Sequence, residues 1–391
     1  MRGSAWSDFT AGPPGRPFLF PAAMAVPVTR FRAGAKRRPN ASCSASLPVS
    51  LFRSRLFPFV AALLLLSACR SAPPENSLHR FGFSHPAMGT LITITLYAPN
   101  PVAAKAAAAA AFQRIDALED IMSDYQADSE LMRLCDQPYG TPVPVSPDLF
   151  AVLQRAQRVS ELSDGAFDVT VGPYIRLWRF ARKRKVLPAP AEIAAARVAV
   201  GWRKLRLDPR ARTVTLLVPN MRLDVGGIGK GYAADQALRV LKAWGISRAL
   251  VAASGDIAIG NPPPGKPGWN VGIAHFDGGT NNAARTLLLH NAGISTSGDT
   301  EQFIEINGVH YSHIVNPATG LGLTQRIQAT IIGPDATTTD SLDTTVSLLG
   351  VQRGLALVDA LPHTAALIVI KEDGQTRSFA SRRFAGLAES H

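Results

Sequence analysis

The chain has 391 residues, 46% of them hydrophobic, and a formal charge of +12. That is enough apolar material for one large core or two moderate ones. The charge does not point to nucleic acid. Residues 1–70 hold ten Arg and Lys against the single acid Asp8, so nine of the twelve surplus charges sit in this arm and the rest of the chain is close to balanced.

Residues 1–48 are rich in Pro, Arg, Ala and Ser without a structural period. We read them as an extension that is either disordered or the product of a misassigned start, with translation beginning nearer Val49 or Leu51. Residues 49–69 read as a secretory signal, with Arg53 and Arg55 ahead of an apolar run from Leu56 to Leu66 that is too short to span a bilayer. Leu66-Ser67-Ala68-Cys69 resembles a bacterial lipobox, whose cysteine is lipidated and begins the mature chain. The same run also suits an ordinary signal with a chance cysteine, or a buried helix. Residues 70–78 form a polar tether, and 79–391 one folded domain. With Cys43 and Cys69 in the arm, Cys135 stands alone, unable to form an internal bridge, and reads as a small buried residue.

Along that domain, HPAMGTLITITLYAP alternates as a strand, and PVAAKAAAAAAFQRIDALEDIM spaces Phe112, Ile115, Leu118 and Met122 as a packed helix. SPDLFAVLQRAQRVSELSDG is a second helix, with Ser146 and Pro147 as cap and first turn. KLRLDPRARTVTLLVP predicts a hairpin through Asp-Pro. ALVAASGDIAIG and GWNVGIAHF predict one strand each, and TLLLHNAGISTSGD, QFIEINGVHYSHIVN and RIQATIIG supply more, with a hairpin at Asn307-Gly308. Further helices are expected over about 231–244, stopped by Gly245, and 340–349. Many strands without strict βα alternation argue for α+β, with mixed, largely antiparallel sheets and packed helices. The run 179–190, RFARKRKVLPAP, reads as a basic surface loop.

Five clusters interrupt these patterns. In LDVGGIGKGYAAD (223–235) a lysine sits among glycines ahead of a helix, as in a phosphate loop. The Walker template fails at both ends, because Asp224 stands where its first glycine should be and Gly231 where its hydroxyl residue should be. Gly226, Gly227, Gly229 and Gly231 serve either close ligand approach or tight strand–helix packing. In TTTDSLDTT (337–345), Asp340 and Thr344 lie four apart, on one face of a helix, with Asp343 adjacent. This is an oxygen-only set suited to a hard cation, although Asp and Thr at a helix start are more often capping residues. His313 follows a strand beside the Pro-Ala-Thr-Gly turn, as a general base for a hydroxyl nucleophile or as a hydrogen-bonded edge histidine. The others are Ala87-Met88-Gly89-Thr90, SDYQADSEL (123–131) and GAFDVTVGPYIRLW (165–178), and STSGD (295–299) forms one distal cluster with 310–320 and 337–345.

Taken together and in this order, from Ala87-Met88-Gly89-Thr90 through Asp340-x-x-x-Thr344, these clusters resemble the ApbE-type family of periplasmic flavin transferases. The resemblance covers nearly all of the domain after the tether. It implies an ApbE-like α+β fold and an FAD:protein FMN transferase that moves FMN from FAD to a threonine hydroxyl of acceptor flavoproteins, with Mg²⁺ and release of AMP. By the same resemblance, Met88, Tyr125, Ala166, Phe167 and Asp168 would line the flavin and adenosine site. Asp224 and Lys230 would contact FAD, and Ser295, Thr296, Ser297 and Gly298 would lie near the pyrophosphate. The carbonyl of Gly227 would join Asp340 and Thr344 around Mg²⁺, with Asp343 supporting the shell and His313 as base. The implied partners are FAD and flavoproteins of membrane electron-transfer complexes, with a lipid anchor at Cys69 on the periplasmic side of the inner membrane.

Two readings compete: a periplasmic FAD pyrophosphatase giving FMN and AMP, and a non-enzymatic flavin-binding lipoprotein. The chain departs from the family pattern twice. Ser254-Gly255-Asp256 stands where Gly-Gly-Asp is common, and Thr300 where an aromatic residue is usual.

Overall fold

The structure, a computed structural model, describes residues 77–273, 276, 285–298 and 303–387. The expectations for the extension, signal and lipobox Cys69, for most of the tether and for Thr300 fall outside them. Among the described residues no helix is long and apolar enough to cross a membrane.

Eight strands form the main sheet in the order β1 (His79–Ala87), β2 (Thr90–Ala98), β6 (Ala249–Ala253), β7 (Asp256–Ile259), β10 (Ala292–Gly298), β13 (Arg326–Gly333), β14 (Ala365–Glu372) and β15 (Gln375–Ala380). Every neighbouring pair is antiparallel. Small sheets are made by β3 (Val143–Pro144), β5 (Thr213–Leu216) and β4 (Leu205–Asp208), by β8 (Trp269–Ile273) with β9 (Arg285–Leu289), and by β11 (Phe303–Ile306) with β12 (Val309–Ser312). With the helices below, this is the α+β architecture expected.

Helix α1 (Pro101–Met122) starts where Asn100 accepts a hydrogen bond from the Ala103 N–H at 2.9 Å. Its alanines Ala104, Ala107, Ala108 and Ala111 are fully buried with Ile92, Ile94 and Leu96 of β2 and with Ala233, Ala234 and Ala237 of α6 (Gly229–Ala243). The small side chains let helix and sheet approach closely, which is why alanine is dense here. Between them lie α2 (Glu130–Cys135), α3 (Pro147–Leu162), α4 (Gly172–Arg184) and α5 (Pro190–Arg197), and α7 (Ala336–Ala360) follows β13. Strand β13 is buried on both faces. Ile327, Ala329 and Ile331 pack with Leu342, Val346 and Val358 of α7, while Ile332 joins Trp269, Leu287 and Leu289 of the β8–β9 hairpin. Helices α4 and α5 form a separate cluster with Ile304 and Ile306 of β11.

Several expectations change. HPAMGTLITITLYAP is a hairpin, turning at Met88-Gly89 so that Ala87 pairs with Thr90. ALVAASGDIAIG is also a hairpin, β6–β7, in which Ala253 pairs with Asp256 across Ser254-Gly255. In both, a two-residue turn ending in glycine, Met88-Gly89 or Ser254-Gly255, divides a stretch read as one continuous strand. The run 179–190 is not a loop throughout: α4 carries it to Arg184, and Pro190 opens α5. Helix α7 begins at Ala336, capped by Asp335, which accepts from the Thr338 N–H at 2.8 Å. Asp340 and Thr344 therefore lie inside the helix and do not cap it. The helix runs to Ala360, broken at Gly350 (φ 72°). The Asp208 turn and the Asn307-Gly308 hairpin form as expected. Cys135 is a buried free thiol whose pKa burial pushes up to about 11.

Candidate active site

Two glycines bring the distant segments together. Gly231, in the first turn of α6, lies so close to α7 that a Cβ there would stand 2.2 Å from the Ala336 carbonyl oxygen. Its N–H donates to Oδ2 of Asp340 at 2.8 Å. Gly293 of β10 meets the start of α7 equally closely, with the Asp335 carbonyl carbon 2.3 Å from where its Cβ would be. The first turn of α7 is thus seated between α6 and β10. Asp235 of α6 accepts from the Ala336 and Thr337 N–H groups at 3.0 and 2.9 Å, placing a carboxylate at the positive end of the α7 dipole. Ser295, buried on β10, hydrogen-bonds the Thr339 hydroxyl at 2.8 Å.

This seating gathers carboxylates around one ammonium. Lys230 Nζ pairs with Asp256, which faces Ser295 across β7–β10. Asp256, Asp340 and Asp343 are all buried. Burial, and next the charge of Asp256, push the pKa of Asp340 up to about 7, against Lys230 and the Gly231 N–H. Burial first, then Asp256 and Asp340, push Asp343 well above the usual carboxylate range. Burial opposes the charge of Lys230, but Asp340, Asp256 and Asp343 outweigh it and raise the lysine above its ordinary value. More negative charge is buried here than the single lysine offsets.

Gly227 closes the other side of the cluster. A Cβ on it would lie 3.3 Å from Thr344 Oγ1 and 3.2 Å from the buried Phe167 ring. Thr344 Oγ1 stands 3.2 Å from Asp343 Oδ1. Asp224 ties its N–H to the Val169 carbonyl at 2.8 Å, which binds the glycine-rich turn to the 165–178 segment. Its carboxylate accepts from the Gly226 N–H at 2.8 Å. Burial, and then Asp124, push its pKa up to about 6, against Gly226 and Arg179.

The other expected residues lie in several separate turns and strands. Ala166 and Phe167 sit in the turn after α3, where the Phe167 N–H donates to Ser163 Oγ at 3.1 Å. Asp168 spends Oδ1 on the Thr170 N–H and hydroxyl, both at 2.7 Å, so it holds the turn. Thr296, Ser297 and Gly298 continue β10 beyond Ser295, with Thr296 Oγ1 3.0 Å from Thr330 Oγ1. Met88 occupies the β1–β2 turn at φ 52°, an unusual backbone for a bulky residue and one associated with functional turns. Tyr125 is 79% exposed in the loop after α1.

His313 follows β12, half-buried, between Ser312 and Ile314, which exchange backbone hydrogen bonds with Leu323. The adjoining turn is fixed by Trp178 Nε1 of α4, which donates to the Gly320 carbonyl at 2.9 Å. Sequence reading named Ser295 but not its bond to Thr339, and it missed Asp256 as the partner of Lys230 and Arg179 beside Asp124. For Asp256 the signal was available, as an aspartate directly after a Ser-Gly turn.

A sequence profile of the ApbE family matches residues 88–368. The chain belongs to the ApbE family. It is 30% identical over 330 residues to the FAD:protein FMN transferase of Vibrio cholerae serotype O1, covering 83% of this chain and 96% of that one. To the protein of the same name from Salmonella typhimurium it is 31% identical over 333 residues, covering 83% and 95%. The solved flavin transferase ApbE from Vibrio cholerae superposes with a TM-score of 0.72 at 29% identity, over 80% of this chain and all of that one. The Pseudomonas stutzeri flavinyl transferase ApbE gives 0.70 at 27% identity, over 79% and 97%. The chain is accordingly an enzyme of the transferase class with the ApbE fold.

The fold accounts for one departure from the ApbE pattern. Ser254 has φ 60°, a conformation that favours the glycine common in the family, whereas Gly255 is needed for space, because a Cβ there would lie 2.8 Å from the Thr296 carbonyl oxygen.

Proposed function

We propose that this chain is an FAD:protein FMN transferase that joins FMN to a threonine hydroxyl of an acceptor flavoprotein and releases AMP. The observation that carries the reading is the surplus of buried carboxylate at Asp340, Asp343 and Asp256 around Lys230, set against a glycine-rich turn at Gly227. Without a cation, Asp340 and Asp343 tend to hold protons, as their raised pKa values show, and a bound cation would let them ionise.

The donor chemistry fits Mg²⁺. Among the described residues no three His, Cys, Asp or Glu side chains are gathered as a metal cage. By the resemblance to ApbE enzymes, the ion would be held by the Asp340 carboxylate, the Thr344 hydroxyl and the Gly227 carbonyl, with Asp343 beside them, and the approach of Gly227 to Thr344 fits that set. These are hard oxygen donors throughout, as Mg²⁺ prefers. When bound, Mg²⁺ neutralises pyrophosphate charge and acts as a Lewis acid.

The chain's own groups supply the rest. Lys230 and the backbone of the glycine-rich turn orient the dinucleotide, and the 295–298 strand lines the pyrophosphate. His313 takes the proton of the acceptor threonine. The threonine oxygen then bonds to the FMN-side phosphorus while the bond from that phosphorus to the bridging oxygen breaks, and AMP leaves with that oxygen. Positioning and electrostatic stabilisation account for most of such a rate. In this reading Cys69 carries the lipid that holds the enzyme at the periplasmic side of the inner membrane, near membrane-bound acceptors.

The test is incubation of the protein with FAD, Mg²⁺ and a threonine-bearing acceptor domain, followed by fluorescence of a denaturing gel. Covalently yellow acceptor supports the proposal. Release of FMN without labelling makes the chain a pyrophosphatase, and intact FAD makes it a flavin-binding protein.

A further inference from the structure

Arg179, which the sequence placed only in a basic surface run, joins two residues of the expected cluster after α1. Arg179 lies on α4, 55 residues beyond Asp124, and its guanidinium pairs with the Asp124 carboxylate. The same guanidinium lies over the Tyr125 ring, 3.9 Å from its centroid. Asp224, at the start of the glycine-rich turn, lies within the electrostatic reach of both Arg179 and Asp124. Arg179 thus ties the loop after α1 to the candidate site.

A structural staple explains only part of this. The Arg179–Asp124 pair, with side chains 28% and 18% exposed, anchors the loop, but it does not require an aromatic ring beside the guanidinium. Yet Tyr125 remains 79% exposed, with Arg179 over one face of its ring, so no burial holds the ring there. The Nε of Arg179 is itself buried with no hydrogen-bond partner. Buried donors without acceptors are rare, so this guanidinium is held in place by more than its own hydrogen bonds. An ordered, exposed aromatic ring backed by a cation is a stacking surface prepared in advance.

We infer that Arg179 is a positioning residue for nucleotide binding, fixing the Tyr125 ring as the surface on which an aromatic ring of the dinucleotide stacks. The inference rests on the reading of the chain as an FAD-using transferase. Its test is calorimetric titration of the purified full chain with FAD, and separately with FMN and AMP.

Arg179→Met should weaken FAD binding about tenfold, the range of a partly desolvated cation–π contact. Arg179→Lys keeps a charge facing Asp124 but lacks the planar face, and should fall between Met and wild type. In a Tyr125→Leu background, Arg179→Met should cause no further loss. Arg182→Gln, exposed on the same helix, serves as the control. Whichever of FMN or AMP loses affinity identifies the ring that stacks. If wild type binds no FAD, the transferase reading fails. If wild type binds and Arg179→Met binds equally well, or loses as much without Tyr125 as with it, the role assigned to Arg179 is overturned. Should Arg179→Met unfold, the same cycle run with Arg179→Lys decides the question.

Discussion

The Gly231 N–H donates to Oδ2 of Asp340 at 2.8 Å, joining residues 109 positions apart in the chain. This bond makes the glycine-rich turn and the α7 carboxylates one unit. It exists because Gly231 lacks a side chain at the point where α6 crosses the first turn of α7.

Gly231→Ala should therefore destabilise by about 2 kcal/mol or more through overpacking, and displace Asp340. Gly229→Ala, two residues earlier, places its Cβ no closer than 3.8 Å to Val225 and should be near neutral. Urea denaturation of the two variants separates the cases.

The β6–β7 turn yields an opposite pair. Ser254→Gly relieves a left-handed backbone at φ 60° and should stabilise by up to about 1 kcal/mol. Gly255→Ala, whose Cβ would meet the Thr296 carbonyl at 2.8 Å, should cost about 1–3 kcal/mol. Thermal melts check both signs.

Asp335 caps α7 and pairs with Arg155 at 2.8 Å. Asp335→Ala should cost about 1–2 kcal/mol, mostly through the lost cap. The double variant with Arg155→Ala should lose less than the sum of the single losses, as denaturation midpoints will reveal.

Asp224 sets a pH dependence. Its pKa in the folded state is about 6, above the roughly 3.9 of an unfolded chain. The folded state therefore holds this proton more tightly. The stability it contributes is fully present below about pH 4 and is lost as pH rises through about 6. Asp224→Asn, which can still accept from the Gly226 N–H, should flatten the stability profile between those values. An unchanged difference between variant and wild type across this range would refute the assignment.

Asp340→Asn keeps the shape and can still accept the Gly231 N–H, but removes the charge proposed to hold Mg²⁺. Acceptor labelling should fall on the order of a hundredfold at limiting Mg²⁺. Labelling at the wild-type rate would show the metal assignment to be wrong.

Much of the fold was legible locally. The alanine-dense helix, the Ser146 cap and the Asn307-Gly308 hairpin are set by neighbouring residues, through propensity, capping and turn chemistry. The errors share a cause. The Met88-Gly89 and Ser254-Gly255 turns each hold a non-glycine residue at positive φ, a conformation fixed by the strand pairing on either side. The start of α7 was misplaced because Thr337, Thr338 and Thr339 are poor helix formers by themselves. They are helical here because Asp335, Asp235 and Arg155 satisfy the first turn from outside.

The sequence by itself determined the family, the α+β class and the residue types of the site, because motif order and apolar periodicity are written along the chain. Only the tertiary structure decided what those residues do to one another. That Lys230 meets Asp256, that Asp340 lies within a helix instead of capping it, and that Arg179 backs Tyr125 all depend on contacts between remote segments. The physical reason is the close packing of α6, β10 and α7 at Gly231 and Gly293, where a missing Cβ lets three elements share one buried cluster of charge. No window of sequence contains that packing, so the glycines of the 223–235 stretch gain their meaning only from the helix that lies against them.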